Sequence, residues 1–304
     1  MNAARSPCSR RRVQRISPWN VSNVLPADWM LAHAGSRTEA MQLVRNTKVL
    51  RACGLGPDGG DLLLATHVND TLTEMSVIPD MQKDGYQLRN ASLCANAGQH
   101  CLLVDIGGHI GTAAIVFAMH HAAARPRVLT FEPSLYNQFH LLWNLHLNGV
   151  ARWVTLVKGG VASSDGTMNV TYNAQDTTGT SRYIRPVIGE RTMDRQEAVQ
   201  SRTLGATLAA HGLVGNIDAV KLDCEGCEYE AFPTWDASLT SRFGRVFGEI
   251  HPWIGKRMPN GTMRMPLVHA AMCRMGWGME GLNPVSCDMV YAKVTRLFGE
   301  GAHL

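Results

Sequence analysis

The stretch Val104-Asp105-Ile106-Gly107-Gly108-His109-Ile110-Gly111 constrains the fold more than any other in the chain. An apolar run of strand type enters a glycine-rich turn with no linker, and Ile110 to Ala124 then reads as a helix that Pro126 stops. Strand, tight turn and helix in direct succession form the opening unit of an α/β sheet. Glycines there let the backbone approach a ligand, and the helix start offers free N–H groups.

The same alternation runs on. Cys101 to Gly107 is read as the first buried strand, Arg127 to Phe131 as the second, Trp153 to Val157 as the third, Ile217 to Leu222 as the fourth and Arg245 to Ile250 as the fifth. Ser134 can cap a helix whose apolar positions Leu135, Phe139, Leu142 and Leu145 end at Gly149, and Thr203 to His211 and Glu228 to Trp235 are further helices. Gly166 to Tyr172 is an extra strand, and the polar Gln175 to Gln200 region is read as an insertion or loop, a substrate-facing lid. Pro266 to Met275 gives another helix, and Trp277 to Leu282 and Asp288 to Val294 give a closing strand pair joined at Asn283-Pro284. The expected architecture is α/β, with a seven-stranded, mostly parallel sheet, an antiparallel edge hairpin and helices on both faces. Residues 99–304 would form this domain. Residues 28–98, less readable, with Gly54 to Asp61 as a loop after a weakly helical stretch, would cap one end of the sheet.

Charge narrows the partners. Of 29 Lys and Arg, five (Arg5, Arg10, Arg11, Arg12, Arg15) fall in the acid-free first 27 residues, leaving 24 against 25 Asp and Glu in the rest. A near-neutral body gives no basis for a phosphate-tracking surface, so no nucleic-acid partner is expected. Segment 1–27 reads as a disordered basic tail or a transit peptide, without the apolar core of a secretory signal. Apolar runs such as Ala113 to Met119 fall far short of the roughly 20 residues that span a bilayer. A cytoplasmic or organellar location is expected, and five Asn-x-Ser/Thr sequons (Asn20, Asn69, Asn90, Asn169, Asn260) matter only in a secretory compartment. The eight cysteines are scattered, with Cys101 and Cys224 in apolar stretches, which favours a reduced interior. Cys224 and Cys227 form a lone C-x-x-C without a second pair at zinc spacing, so no metal is expected.

Three constellations carry chemistry. In the first, the turn glycines Gly107, Gly108 and Gly111 are followed, 21 residues after Gly111, by Glu132 at the end of the second strand. A carboxylate there can accept both ribose hydroxyls of an adenosine cofactor. Gly107-Gly108-His109-Ile110-Gly111 misses the G-x-G-x-x-G register of dinucleotide folds, and Asp105 before it suits the amino group of a zwitterionic amino-acid tail. Both features favour S-adenosylmethionine over NAD. The second is Asp223-Cys224-Glu225-Gly226-Cys227-Glu228 after the fourth strand, and the third is Gly248-Glu249-Ile250-His251 after the fifth. Open α/β sheets bind ligands beyond the carboxyl ends of their strands, so Asp223, Glu225 and His251 should share a cleft with Gly107 and Glu132. His251 suits a general base or a structural role equally, and Glu228 reads better as a helix N-terminal acid than as a catalytic group.

Together these segments resemble the FkbM-type methyltransferases. That family carries an Asp-x-Gly-Ala-Asn-x-Gly turn, a Phe-Glu-Pro strand end with a later Asn-Gly, an Asp-x-Glu-Gly-x-Glu segment and a late Glu-x-His. Here they stand as Asp105 to Gly111, Phe131-Glu132-Pro133 with Asn148-Gly149, Asp223 to Glu228, and Glu249-Ile250-His251, over roughly residues 85 to 251. The resemblance implies a Rossmann-like class I methyltransferase sheet and O-methylation of a hydroxyl on a small molecule, sugar or glycan. It implies cofactor contacts from Asp105, Gly107, Gly108, His109, Gly111, Glu132 and Asp223. Asp223 or His251 would take the acceptor's proton, and Glu225 would orient the acceptor or the base. His109 and Gly108 depart from the family's Asn and Ala, and the Cys224/Cys227 pair lies outside its pattern. Two other readings remain: a catalytically idle cofactor- or glycan-binding module of the same fold, and an NAD-linked oxidoreductase.

Overall fold

The computed structural model describes residues 13–16, 36–95, 100–173, 176–181, 187–188, 191–192, 195–251 and 268. Its centre is a five-stranded sheet of β4 (Leu102–Ile106), β5 (Arg127–Glu132), β6 (Val154–Lys158), β13 (Ile217–Leu222) and β14 (Phe243–Gly248), in the order β14-β13-β4-β5-β6. Every neighbouring pair in it is parallel. All five correspond to the strands expected from the apolar runs. The expected closing strands at 277–282 and 288–294 and the helix at 266–275 fall outside the described residues, apart from buried Val268.

The centre of the sheet, β4, β5 and β13, is largely apolar on both faces, as a parallel sheet with covered sides must be. Leu103, Val128 and Ala219 point into one cluster with α3 (Thr112–His120) and α4 (Leu135–Leu147). Leu102, Val104, Ile106, Leu129, Val220 and Leu222 point into the other, with α5 (Leu204–Ala210) and α6 (Glu228–Ala231). Successive residues of one strand thus serve opposite cores, the period of two that defines a strand. Helix α3 is buried continuously from Thr112 to Ala118, because it lies between the sheet and the N-terminal layer. Helix α4 follows its sequence signals: the Ser134 side chain accepts from the Asn137 N–H, and Gly149, at φ +67°, reverses the chain so that the Val150 N–H reaches the Leu145 carbonyl.

Residues before β4 form more than a loosely helical cap. A short helix α1 (Arg37–Arg45) precedes β2 (Thr47–Ala52) and β3 (Leu62–His67), which pair antiparallel, and β1 (Val13–Ile16), from the basic N-terminal segment, pairs with β2. This three-stranded sheet joins the domain through α4. Asn148 exchanges amide hydrogen bonds with the Leu63 backbone at 3.1 and 2.7 Å, and Asn144 does so with Ala65 at 2.5 and 3.0 Å. The side-chain amides stand in for a neighbouring strand. Helix α2 (Ile78–Lys83) brings Tyr86 towards the main sheet.

The region 175–200, expected as a loop, contains strand structure. Strand β12 (Arg195–Arg202) pairs antiparallel with β8 (Gly166–Asn173) and parallel with β7 (Gly160–Val161), while β9 (Asp176–Ser181) extends the sheet and β10 (Val187–Ile188) and β11 (Arg191–Thr192) pair with each other. In the 196–200 stretch of β12 only Val199 is buried, so its sequence lacks the apolar alternation by which a strand is recognised.

The reduced interior expected from the scattered cysteines is also corrected. Cys94 pairs with Cys101 and Cys224 with Cys227, Cys53 is disulfide-bonded, and among the described residues no cysteine is free.

Candidate functional site

Parallel register determines which side chains can meet. Lys221 lies opposite Asp105 on the neighbouring strand, and Asp105 lies opposite Thr130 on the next, so the three stand in one cross-strand row. Their side chains bond along that row. The Thr130 hydroxyl donates to Asp105 Oδ2 at 2.9 Å, and Lys221 Nζ lies 3.3 Å from Asp105 Oδ1 while donating to the Gly107 carbonyl at 2.6 Å. Burial works against the Lys221 ammonium, but Asp105 and Asp223 outweigh it and hold its pKa above the usual range, whereas burial pushes the Asp105 carboxyl up despite the pull of Lys221 and Thr130. Asp105 is fully buried. It is placed to fix Lys221 behind the turn.

The turn itself is packed tightly. Gly107 and Gly108 donate to the Phe131 carbonyl at 3.1 and 2.8 Å. Gly107 (φ +87°) has no room for a side chain, since a Cβ would overlap the Asp223 carbonyl, and a Cβ on Gly108 would overlap the Thr130 hydroxyl. Gly111, at φ +89°, starts α3 against Leu141. The glycines thus bring the ends of β4 and β13 into backbone contact as well as shaping the turn.

Glu132 ends β5 as expected and lies almost wholly buried beside this turn. Its Oε2 accepts the His109 N–H at 2.8 Å, and its Oε1 accepts the Ser134 N–H at 2.9 Å and the Asn137 amide at 3.2 Å. Burial pushes its pKa up to about 7, against the pull of these donors. Two carboxylate oxygens offer about four acceptor positions, so a hydroxyl can still join the three donors. On the other side of the turn stands Asp70. Burial raises its pKa, but His109 and the Thr66 and Thr73 hydroxyls outweigh this and keep it below the usual carboxylate range. His109 therefore faces an acid from the N-terminal layer.

The second and third constellations meet at the carboxyl ends of β13 and β14. His251 Nε2 lies 3.7 Å from both Asp223 Oδ1 and Glu225 Oε2. Glu225 adopts φ +52°, which turns the chain between the two segments. The Tyr86 hydroxyl reaches Asp223 at 3.0 Å and Glu249 at 3.1 Å. Glu228 is completely buried, and it is more than a helix-terminal acid: it accepts from the Gly226 N–H at 3.0 Å and the His251 N–H at 2.8 Å, and its Oε1 lies 3.0 Å from His251 Nδ1. Burial lowers the His251 pKa, but the hydrogen bond to Glu228 and the charges of Glu225, Glu228 and Asp223 overcome it and lift it to about 9. Burial, followed by Asp223, Glu228 and Glu249, pushes Glu225 up to about 7 despite His251.

The candidates thus fall into two adjoining groups, the turn with Glu132 and His109, and the rim of Asp223, Glu225 and His251. Lys221 joins them, lying 3.9 Å from Asp223 Oδ2. Lys221 and Tyr86 were missed in the sequence. A lysine inside the apolar run Ile217 to Leu222 was the available signal, because a buried cation requires a partner. A separate surface cleft of about 680 Å³, lined among others by Ser92, Asp218 and Arg245, opens at the amino ends of β13 and β14, the opposite end of the sheet from these residues.

A parallel α/β sheet with acids gathered at its carboxyl edge beside a glycine turn defines a Rossmann-like ligand-binding fold. The family model described as the methyltransferase FkbM domain matches residues 105–272, more than half of the chain, and the chain belongs to this family. No curated protein matches it. Among solved structures, a proposed transferase from Pyrococcus horikoshii is 16% identical, with 37% of this chain and 36% of that chain covered and a TM-score of 0.23. An uncharacterised protein from Burkholderia thailandensis is 15% identical, with 76% and 58% covered and a TM-score of 0.27. The chain spans less than two thirds of either protein, and at such TM-scores neither likeness bears on the site.

Proposed function

We propose that the chain transfers the methyl group of S-adenosylmethionine to a hydroxyl of a small molecule, sugar or glycan. The observation that carries this reading is the convergence of Glu132, the Gly107–Gly111 turn and Asp223 at the carboxyl ends of the adjacent strands β5, β4 and β13. Glu132 would hold one ribose hydroxyl at the acceptor position its three protein donors leave, the turn would receive the amino-acid tail, and His109 would line that end of the pocket. When bound, the cofactor supplies an electrophilic methyl on a sulfonium.

Transfer is an in-line displacement, so most of the acceleration comes from holding the acceptor oxygen in line with the methyl. Asp223 carries this role together with proton removal. With 29% of its side chain exposed it is the most accessible of the three rim residues, and it takes the acceptor's proton as the new O–C bond forms and the S–C bond breaks. His251, fixed by Glu228, and Glu225 orient Asp223 and the acceptor. Asp105 acts indirectly, by keeping Lys221 charged under the turn. The paired cysteines favour an oxidising compartment over a reducing one. Among the described residues, no helix is long and apolar enough to cross a membrane.

Calorimetry with S-adenosylmethionine, S-adenosylhomocysteine and NAD tests the assignment. Binding of the first two, weakened in Glu132→Ala, is the expected result. Binding of NAD alone would overturn it in favour of an oxidoreductase.

A further inference from the structure

We propose that Asp223, Glu225 and His251 form a binding site for one divalent metal ion, which would hold the acceptor's oxygens. This rests on the methyltransferase reading for its role, but not for the site itself. One carboxylate oxygen from each acid and one imidazole nitrogen lie within 4.8 Å of one another, with both oxygens 3.7 Å from His251 Nε2. An ion with ligand distances of about 2.0 to 2.6 Å sits among donors about 3 to 5 Å apart. The three donors are spaced accordingly.

The surroundings of His251 point the same way. Its Nδ1 is held by Oε1 of the fully buried Glu228, whose other oxygen is anchored by the Gly226 N–H. A carboxylate on one ring nitrogen fixes the tautomer and turns the other nitrogen towards a metal, the arrangement that accompanies histidine ligation. Here that other nitrogen faces both acids. Asp223 is likewise steadied from outside the trio, through Oδ2 by the Tyr86 hydroxyl, which leaves Oδ1 towards His251. The Cys224–Cys227 disulfide closes the turn that carries Glu225, which limits how far this ligand can stray.

Two carboxylates and one imidazole suit Mn²⁺ or a similar divalent ion better than a thiolate-seeking one. Three protein ligands leave about three positions open on a six-coordinate ion. Two neighbouring acceptor oxygens can fill two of them, so the site selects acceptors with adjacent hydroxyls, and the ion's charge favours the ionised form of the oxygen to be methylated.

Electron paramagnetic resonance of the full chain titrated with Mn²⁺ tests this without turnover. The expected result is about one bound ion per chain, with affinity falling at least tenfold in Glu225→Gln and in His251→Gln, each checked for native folding by circular dichroism. An absence of binding, or binding unaffected by both substitutions, would overturn the site. Parallel calorimetry with S-adenosylhomocysteine separates the two claims: Mn²⁺ bound without any cofactor binding sinks the methyltransferase reading alone, and cofactor bound without Mn²⁺ sinks the metal site alone.

Discussion

Lys221 and Asp105 stand opposite each other on adjacent parallel strands and meet 3.3 Å apart behind the glycine turn, both withdrawn from solvent. Breaking such a pair leaves a buried charge uncompensated, which costs about 3 to 5 kcal/mol. Lys221→Met should lower the unfolding free energy obtained from urea titration by that amount, and adding Asp105→Asn should recover part of the loss. A single substitution as mild as a surface change would show that the pair is not ionic.

The turn glycines should differ sharply from Gly149. Gly107→Ala faces both a left-handed backbone and the Asp223 carbonyl, so it should destabilise by more than about 3 kcal/mol and abolish cofactor binding. Gly149→Ala, also at positive φ but with open space around its Cβ, should cost about 1 kcal/mol and spare binding. Thermal unfolding and calorimetry on both variants check the contrast.

Glu132 gives the expected pH dependence. Its folded pKa is raised to about 7 from an ordinary carboxylate value, so the unliganded fold loses stability as pH rises from about 4.5 through 7. Cofactor binding should run the opposite way, because a ribose hydroxyl donating to Glu132 needs the ionised form. Affinity should fall up to tenfold per unit as pH drops below 7, and Glu132→Gln should flatten the profile.

At the rim, Asp223→Ala and His251→Ala should each reduce turnover by about 10²- to 10⁴-fold while retaining cofactor affinity. Unchanged turnover in both would remove them from the chemistry. An acceptor screen at saturating cofactor provides the rates.

The disulfides predict that alkylation without reductant labels none of Cys53, Cys94, Cys101, Cys224 and Cys227. Loss of the Cys94–Cys101 link, which closes a short loop, should cost about 2 to 3 kcal/mol, read as a lower thermal midpoint in Cys94→Ser.

The central strands β4, β5 and β13 were legible because strands buried on both faces are written as largely apolar runs, whereas the part-exposed edge strands β6 and β14 were marked by shorter apolar pairs, Leu156-Val157 and Val246-Phe247. The acids at their ends were legible because parallel topology sends every carboxyl terminus to one edge. β12 was not, because Val199 is the single buried apolar position between Gln196 and Gln200. The N-terminal sheet was hidden for a related reason: its β3 is satisfied partly by Asn144 and Asn148, polar residues on a distant helix that no local pattern connects to it. Asp105 showed the limit of motif reading. Its position was correct, but only the register revealed that Lys221 and Thr130 already use its carboxylate.

Asn144 also donates to the carbonyl of Ile110, inside the glycine turn, at 2.9 Å. One amide thereby clamps the outer sheet and the glycine turn at once. The layer that carries β3 is consequently no detachable accessory: a fragment trimmed to begin at β4 would lose a strut of the glycine turn, and the smallest stable unit must reach back to include β3.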